Sequence, residues 1–189
     1  MTMQNVPKAR TIDEIIIEIM EKEGFRSNNP DDLGGDTTYG ITEETARRLG
    51  YKGSMDDLTP DIAKDMYLNE YVRRVRFDKV HTVSAIIGEE LIDTGVNMGQ
   101  ETAARFLQRW LNVYNNKQKY YKDIVVDGLI GPATISALTA FLAKRGREGE
   151  FVLWKSLNAS QGGRYLDITE AREKNETHVY GWMLQRVGL

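Results

Sequence analysis

The sequence predicts a mainly α protein, a helical body with one small β-hairpin. Two observations carry that class. Capping residues followed by apolar residues at helical spacing recur along the chain, from Thr11 to beyond Trp154. One long stretch, Gly24 to Gly35, changes to Asn, Pro, Asp and Gly, and leads into Thr37-Thr38-Tyr39, a run of β-favouring residues. At 189 residues, with 41% hydrophobic and 28% charged content, the chain is an ordinary globular one, long enough to bury a core. No internal repeat or low-complexity linker appears, so one domain over 1–189 is expected.

The first helix starts at the capping box Thr11-Ile12-Asp13-Glu14 and ends at Gly24. Ile12, Ile15, Ile16, Ile19 and Met20 share one face. Gly34-Gly35 followed by Thr37-Thr38-Tyr39 reads as a tight turn into a hairpin arm. Thr42 caps a second helix, Glu43 to Leu49, stopped by Gly50. Thr59-Pro60 is a cap followed by proline at the first helical position, and that helix should carry Ile62, Ala63, Met66, Tyr67 and Tyr71 inward. Tyr67 and Tyr71 read as core, with lining of a groove as the other reading. Arg73, Arg74 and Arg76 form a basic run, a solvated face or a grip on carboxylates.

Further helices are expected over Ser84 to Val96, over Thr102 to Leu111, after Gly131-Pro132, and around Phe151, Val152, Trp154 and Leu157, the last ended by Gly162-Gly163. Asn97-Met98-Gly99 is a helix end, where Asn97 either satisfies backbone groups or presents its amide to a ligand. Asp127-Gly128 makes a turn before the Gly131-Pro132 helix start. Trp182, near the end, is expected in the core.

Composition closes off several functions. A net charge of −3 gives no nucleic-acid footprint and no bulk attraction to an anionic surface. With no cysteine there are no disulfides, thiol nucleophiles or thiolate metal sites. His81 and His178 match no metal-ligand spacing, so neither metal nor cofactor is expected. Met1 to Arg10 is polar and Ile15-Ile16-Ile17 is too short for a signal-peptide core; no segment reads as membrane-spanning. Synthesis in the cytoplasm without membrane insertion is therefore expected.

Glu23 is the candidate for chemistry. It falls within roughly 20° of the apolar stripe of the first helix, whereas Glu14, Glu18 and Glu21 point to the other side. Apolar surroundings raise a carboxyl pKa, and a glutamic acid protonated near neutrality can act as a general acid. The other reading is a helix-end cap or a pair with Arg26. Asp32 follows in the polar turn, where a carboxylate stays ionised. An acid on a helix facing one on a hairpin is how two carboxyl groups flank a glycosidic bond.

These residues carry a resemblance. Glu23-Gly24, then Asn28-x-Pro30-x-Asp32-x-Gly34-Gly35-x-Thr37, then Tyr39-Gly40-Ile41-Thr42, resembles glycoside hydrolase family 108, the phage and bacterial N-acetylmuramidases. Phe25 and Arg26 stand where the family reads Gly-Tyr, Leu33 where proline is common, and Val72 where tryptophan often follows Tyr71. The Glu, Asp, Thr spacing is also similar to that of coliphage-type lysozymes. The first likeness favours Thr37 and the second Thr38. Asp93-x-x-Val96-Asn97-x-Gly99 and the closing Tyr180 to Val187 are similar to the family too, and Val125 to Thr134 resembles its peptidoglycan-binding segments.

The resemblance implies a lysozyme-like (α+β) fold with the hairpin beside an active-site cleft, a catalytic part over 11–83 and a helical part over 84–189 holding the peptidoglycan-binding-like segment. It implies cleavage of the β-1,4 bond between N-acetylmuramic acid and N-acetylglucosamine. Glu23 would be the acid, with Asp32 and Thr38 as catalytic partners and Thr37, Tyr39 and Asn97 toward the substrate. It implies a monomeric phage endolysin acting on the peptidoglycan glycan strand, with a holin for release. A lytic transglycosylase and a non-catalytic wall binder are the rivals.

Overall fold

The computed structural model describes residues 8–23, 26–27 and 37–187, with side chains described over 8–21 and 38–187. It is 74% helical. Its contacts divide the chain into two compact units, Arg10–Arg76 and a second running from Phe77 onward.

In the first unit, α1 (Ile12–Glu23) begins at the expected capping box. The Glu14 carboxylate accepts from the Thr11 backbone N–H at 2.7 Å, and the Glu14 N–H donates to the Thr11 hydroxyl at 3.2 Å. Ile15, Ile16, Ile19 and Met20 are buried. Next come β1 (Arg26–Ser27), β2 (Thr37–Thr38) and β3 (Ile41–Thr42), antiparallel in that order. The expected hairpin beside a cleft is thus not found: β-structure among the described residues amounts to three two-residue strands. The physical limit is local. Tyr39 and Gly40 turn with φ of 54° and 73°, and Thr42 already caps α2 (Glu43–Arg48), accepting from the Thr45 N–H at 3.2 Å. The pairing has no length in which to continue. Gly34-Gly35, the expected entry turn, lies outside the described residues.

A 3₁₀ turn at Met55–Asp57 precedes α3 (Pro60–Tyr67), which starts as expected with Thr59 capping and Pro60 in the first turn. Ala63, Met66 and Tyr67 are buried, but Ile62, expected inward, is 36% exposed. It sits in the first turn, on the edge of the stripe. Beyond Tyr67 the helix widens into a π-helical stretch, Leu68–Arg73. The wider turn rotates later residues, so Val72 and Glu70 are buried while Tyr71 is only half-buried.

The second unit is a helical bundle: α4 (Phe77–Val83), α5 (Ala85–Met98), α6 (Gln100–Tyr114), α7 (Pro132–Glu170) and α8 (Glu176–Arg186). Ser84 caps α5, accepting from the Ile87 N–H at 3.3 Å. α4 crosses α5 where Gly88 faces His81; a Cβ at Gly88 would lie 2.4 Å from the His81 Cα, so the crossing requires glycine. α7 packs on α4, α5, α6 and α8. It is two arms broken at Gly146, whose φ of 59° and ψ of −152° suit glycine alone. Ala137, Leu138 and Phe141 are buried from the first arm, and Leu153, Leu157 and Tyr165 from the second. The expected stop at Gly162-Gly163 is overturned: the helix continues to Glu170. Trp182 is not in the core either. It lies half-exposed on α8, stacked on Tyr165 at 5.2 Å. No described helix is long and apolar enough to cross a membrane.

Candidate active site

Glu23 is the last residue of α1, the helix whose apolar face forms the core of the first unit. The Glu23 and Thr37 side chains and the whole of Asp32 lie outside the described residues. Thr37 is placed by its backbone in β2, opposite Ser27 and Thr42.

Thr38 is buried, at 8% exposure, and its hydroxyl makes a long hydrogen bond of 3.4 Å to the Met55 carbonyl. That contact ties β2 to the 3₁₀ turn and leaves the hydroxyl oxygen able to accept. Tyr39 holds the left-handed first position of the turn, a conformation uncommon for a non-glycine residue. Its carbonyl accepts from the Tyr67 hydroxyl at 3.2 Å. Tyr67 is buried and Tyr71 leans on it with ring centroids 5.4 Å apart. Tyr67 therefore braces the turn from α3, and Tyr71 lines a shallow pocket with Gly40, Thr45 and Leu49.

The π-helical stretch adds a charge cluster that the sequence did not announce. Glu70 is 5% exposed and its Oε1 accepts from Arg48 at 3.0 Å and Arg74 at 2.7 Å. The two guanidiniums together offset the cost of taking the Glu70 charge out of water. Of the basic run, Arg74 grips this internal carboxylate and Arg73 donates to Asn69 at 3.0 Å.

Asn97 belongs to the second unit, in the last turn of α5, where its amide donates to the Asp93 carbonyl at 2.8 Å. Asp93 also accepts from Gln161 at 2.9 Å and from Arg186 at 3.2 Å, linking α5 to α7 and α8. One turn earlier stands Glu90, whose carboxyl pKa is pushed up to about 8, first by burial and then by the Asp93 charge. It accepts from Asn158 at 2.7 Å and, weakly, from Thr94 at 3.4 Å. At 7% exposure and closed in by these partners, it serves the α5–α7 packing. Sequence reasoning missed it, although Ile86, Ile87, Glu90, Leu91 and Thr94 share a face at helical spacing.

The Asp127-Gly128 turn has internal partners. Buried Gln108 donates to Asp127 at 2.7 Å and accepts from the Gly128 N–H at 2.8 Å, while the Leu129 N–H donates to Asp127 at 2.9 Å. The bonds from Gln108 and from the Leu129 N–H hold the Asp127 carboxyl below the usual carboxylate range.

Set beside known proteins, residues 16–99 match the family model described as Glycosyl hydrolase 108, and residues 102–187 match the one described as Predicted Peptidoglycan domain. Among solved structures, that of Brucella abortus SagA is similar with a TM-score of 0.61 at 22% identity, over 91% of this chain and 87% of that one. That likeness establishes a shared fold. No curated protein matches.

Proposed function

We propose that this glycoside hydrolase, whose residues 16–99 match the family 108 model and whose residues 102–187 match a peptidoglycan domain, acts on peptidoglycan by cleaving the β-1,4 bond between N-acetylmuramic acid and N-acetylglucosamine. The observation that carries this is the 16–99 match, which spans Glu23, Asp32, Thr37 and Thr38.

In this proposal Glu23, at the end of α1, protonates the leaving oxygen. Asp32, as a carboxylate, stabilises the oxocarbenium-like transition state or orients water, and a threonine hydroxyl positions that water. Thr38 is the threonine, with Thr37, Tyr39 and Asn97 toward the substrate. Two features support it. The buried face of α1 fixes the helix that ends in Glu23, and Tyr67 braces the turn that follows Thr38. The catalytic part is 11–83, and 84–189 supplies the wall-binding part. The setting is a phage endolysin, monomeric, made in the cytoplasm and released through a holin.

Mass spectrometry of purified peptidoglycan after digestion tests the proposal. Fragments with reducing muramic ends are expected. Anhydro-muramic ends would make the protein a lytic transglycosylase, and the absence of fragments would make it a wall binder.

A further inference from the structure

Within the second unit a groove of about 420 Å³ runs between α6 and the second arm of α7, a volume within the roughly 300–1,000 Å³ of small-ligand sites. Its apolar wall is Phe106, Trp110 and Leu166; its charged wall is Arg109, Arg164 and Asp167. Trp110 is fixed twice over. It stacks on Tyr114 with centroids 5.2 Å apart, and its indole N–H donates to Ser160 at 2.8 Å. The rotamer is therefore set before any ligand arrives. Leu166 is 57% exposed beside it.

Arg109 and Arg164 are exposed, and neither makes a hydrogen bond or ion pair with another described residue. Arg48, Arg74, Arg105 and Arg186 have carboxylate partners, whereas Arg109 and Arg164 have none among the described residues and are set apart by lining the same groove. In a chain of net charge −3, two unpaired guanidiniums on one groove form a local anion-binding feature. Gly163 completes the floor: a Cβ there would meet nothing within 4 Å, so the groove is open down to the helix backbone.

We infer that this groove binds the peptide stems of peptidoglycan. The inference rests on the proposed action on peptidoglycan and assigns a part of that polymer to a site. A stem peptide carries several carboxylates, aliphatic side chains and an ammonium group. Arg109 and Arg164 match the carboxylates, bidentately where both oxygens face the fork. Trp110, Phe106 and Leu166 match the aliphatic portions, and Asp167 the ammonium. The glycan backbone is matched less well. Between its peptides it offers hydroxyls and N-acetyl groups without charge, and the Trp110 indole N–H that could serve them is already engaged by Ser160.

The test uses the full chain and the free tetrapeptide L-alanyl-γ-D-glutamyl-meso-diaminopimelyl-D-alanine, which holds no glycosidic bond. The indole N–H resonance of Trp110, assigned with a Trp110→Phe variant, is followed by NMR during titration. It should shift saturably, while those of Trp154 and Trp182 stay still. Arg109→Gln with Arg164→Gln should weaken binding at least tenfold. Gly163→Leu should do the same by filling the floor, and leucine is the better helix former at this exposed position, so the fold is kept. No shift at millimolar peptide, unchanged affinity in both variants, or a shift with chitotetraose in place of the peptide would overturn the inference. Digestion of sacculi by the unaltered chain is scored separately. Digestion without peptide binding at Trp110 removes the groove assignment and keeps the hydrolase; peptide binding at Trp110 without digestion removes the muramidase proposal and keeps the groove.

Discussion

Replacing Glu90 by glutamine should make the second unit more stable at slightly alkaline pH. The Glu90 pKa rises from 4.5 to about 8 because burial and the nearby Asp93 disfavour its charge. The groups around it are Asp93 and Glu89 on α5, with Asn158 and Tyr165 facing from α7; Arg186 of α8 pairs with Asp93. The folded state therefore holds a proton that the unfolded chain loses above about pH 4.5. The stability contributed by the neutral acid is complete below that pH and falls as pH rises, levelling off near pH 8. At about 1.4 kcal/mol per pKa unit, the loss across this window is about 5 kcal/mol, an order-of-magnitude figure. Glutamine keeps the shape: its carbonyl accepts from Asn158 and its amide reaches Thr94, with no charge to desolvate. Urea unfolding at pH 5, 6, 7 and 8 reads the effect by tryptophan fluorescence. Trp110, Trp154 and Trp182 are all the tryptophans and all lie in this unit. The unaltered protein should lose stability over the series relative to Glu90→Gln, and the curves should converge toward pH 5. Parallel curves, or a Glu90→Gln protein less stable at pH 8, would show that Glu90 is ionised in the folded state.

Four further outcomes are expected. Glu23→Gln should lower release of soluble fragments from peptidoglycan by at least about a hundredfold, the ordinary worth of a general acid; near-normal digestion by a variant with unchanged circular dichroism would remove Glu23 from that role. Asp32→Asn should cost more activity than Thr38→Ala in initial-rate assays, and a larger loss in Thr37→Ala than in Thr38→Ala would move the water-positioning role to Thr37. Expressed alone in a Gram-negative cytoplasm, the protein should leave cells intact until chloroform opens the inner membrane, with turbidity as the readout; early spontaneous lysis would contradict the need for a holin. Gly128→Ala should lower stability by roughly 1–3 kcal/mol in urea unfolding, since Gly128 has φ of +80° and its Cβ would lie 2.3 Å from the Glu101 Cγ.

Helix starts were legible in the sequence because they are local. The Thr11–Glu14 box and the caps at Thr42, Thr59 and Ser84 each act within three residues, and each forms. Features set by distant partners were not legible. Gly162-Gly163 reads as a stop, yet α7 runs through it. Gly162 faces Met183 and Val187 at ordinary contact distance, and the packing of α8 along this arm favours continuing the helix over ending it at the glycines. The same holds for α4, a short segment whose Phe77 and Val80 are buried and which crosses α5 at Gly88. Glu70, buried by the π-helical turn, takes one of its partners from Arg48, twenty-two residues away. Of the candidate site, Glu23 at a helix end and Thr38 at a turn were legible in position. The tie from Thr38 to Met55 was not, being set by a contact seventeen residues apart.

The break at Gly146 has a consequence for synthesis. Folding α7 back brings Asn158 to Glu90 and Glu150 to Ser84, pairs separated by 68 and 66 residues. A ribosome adding about 5–20 residues per second needs roughly 3–14 s to cover that interval. During it Glu90 lacks its Asn158 partner and the capping Ser84 lacks Glu150. The α5 contacts with the second arm therefore form last, when that arm emerges. A nascent chain released before Asn158 would expose the apolar face of α5 to chaperones and proteases, so incomplete products of this protein should be cleared rather than accumulate as half-folded enzyme.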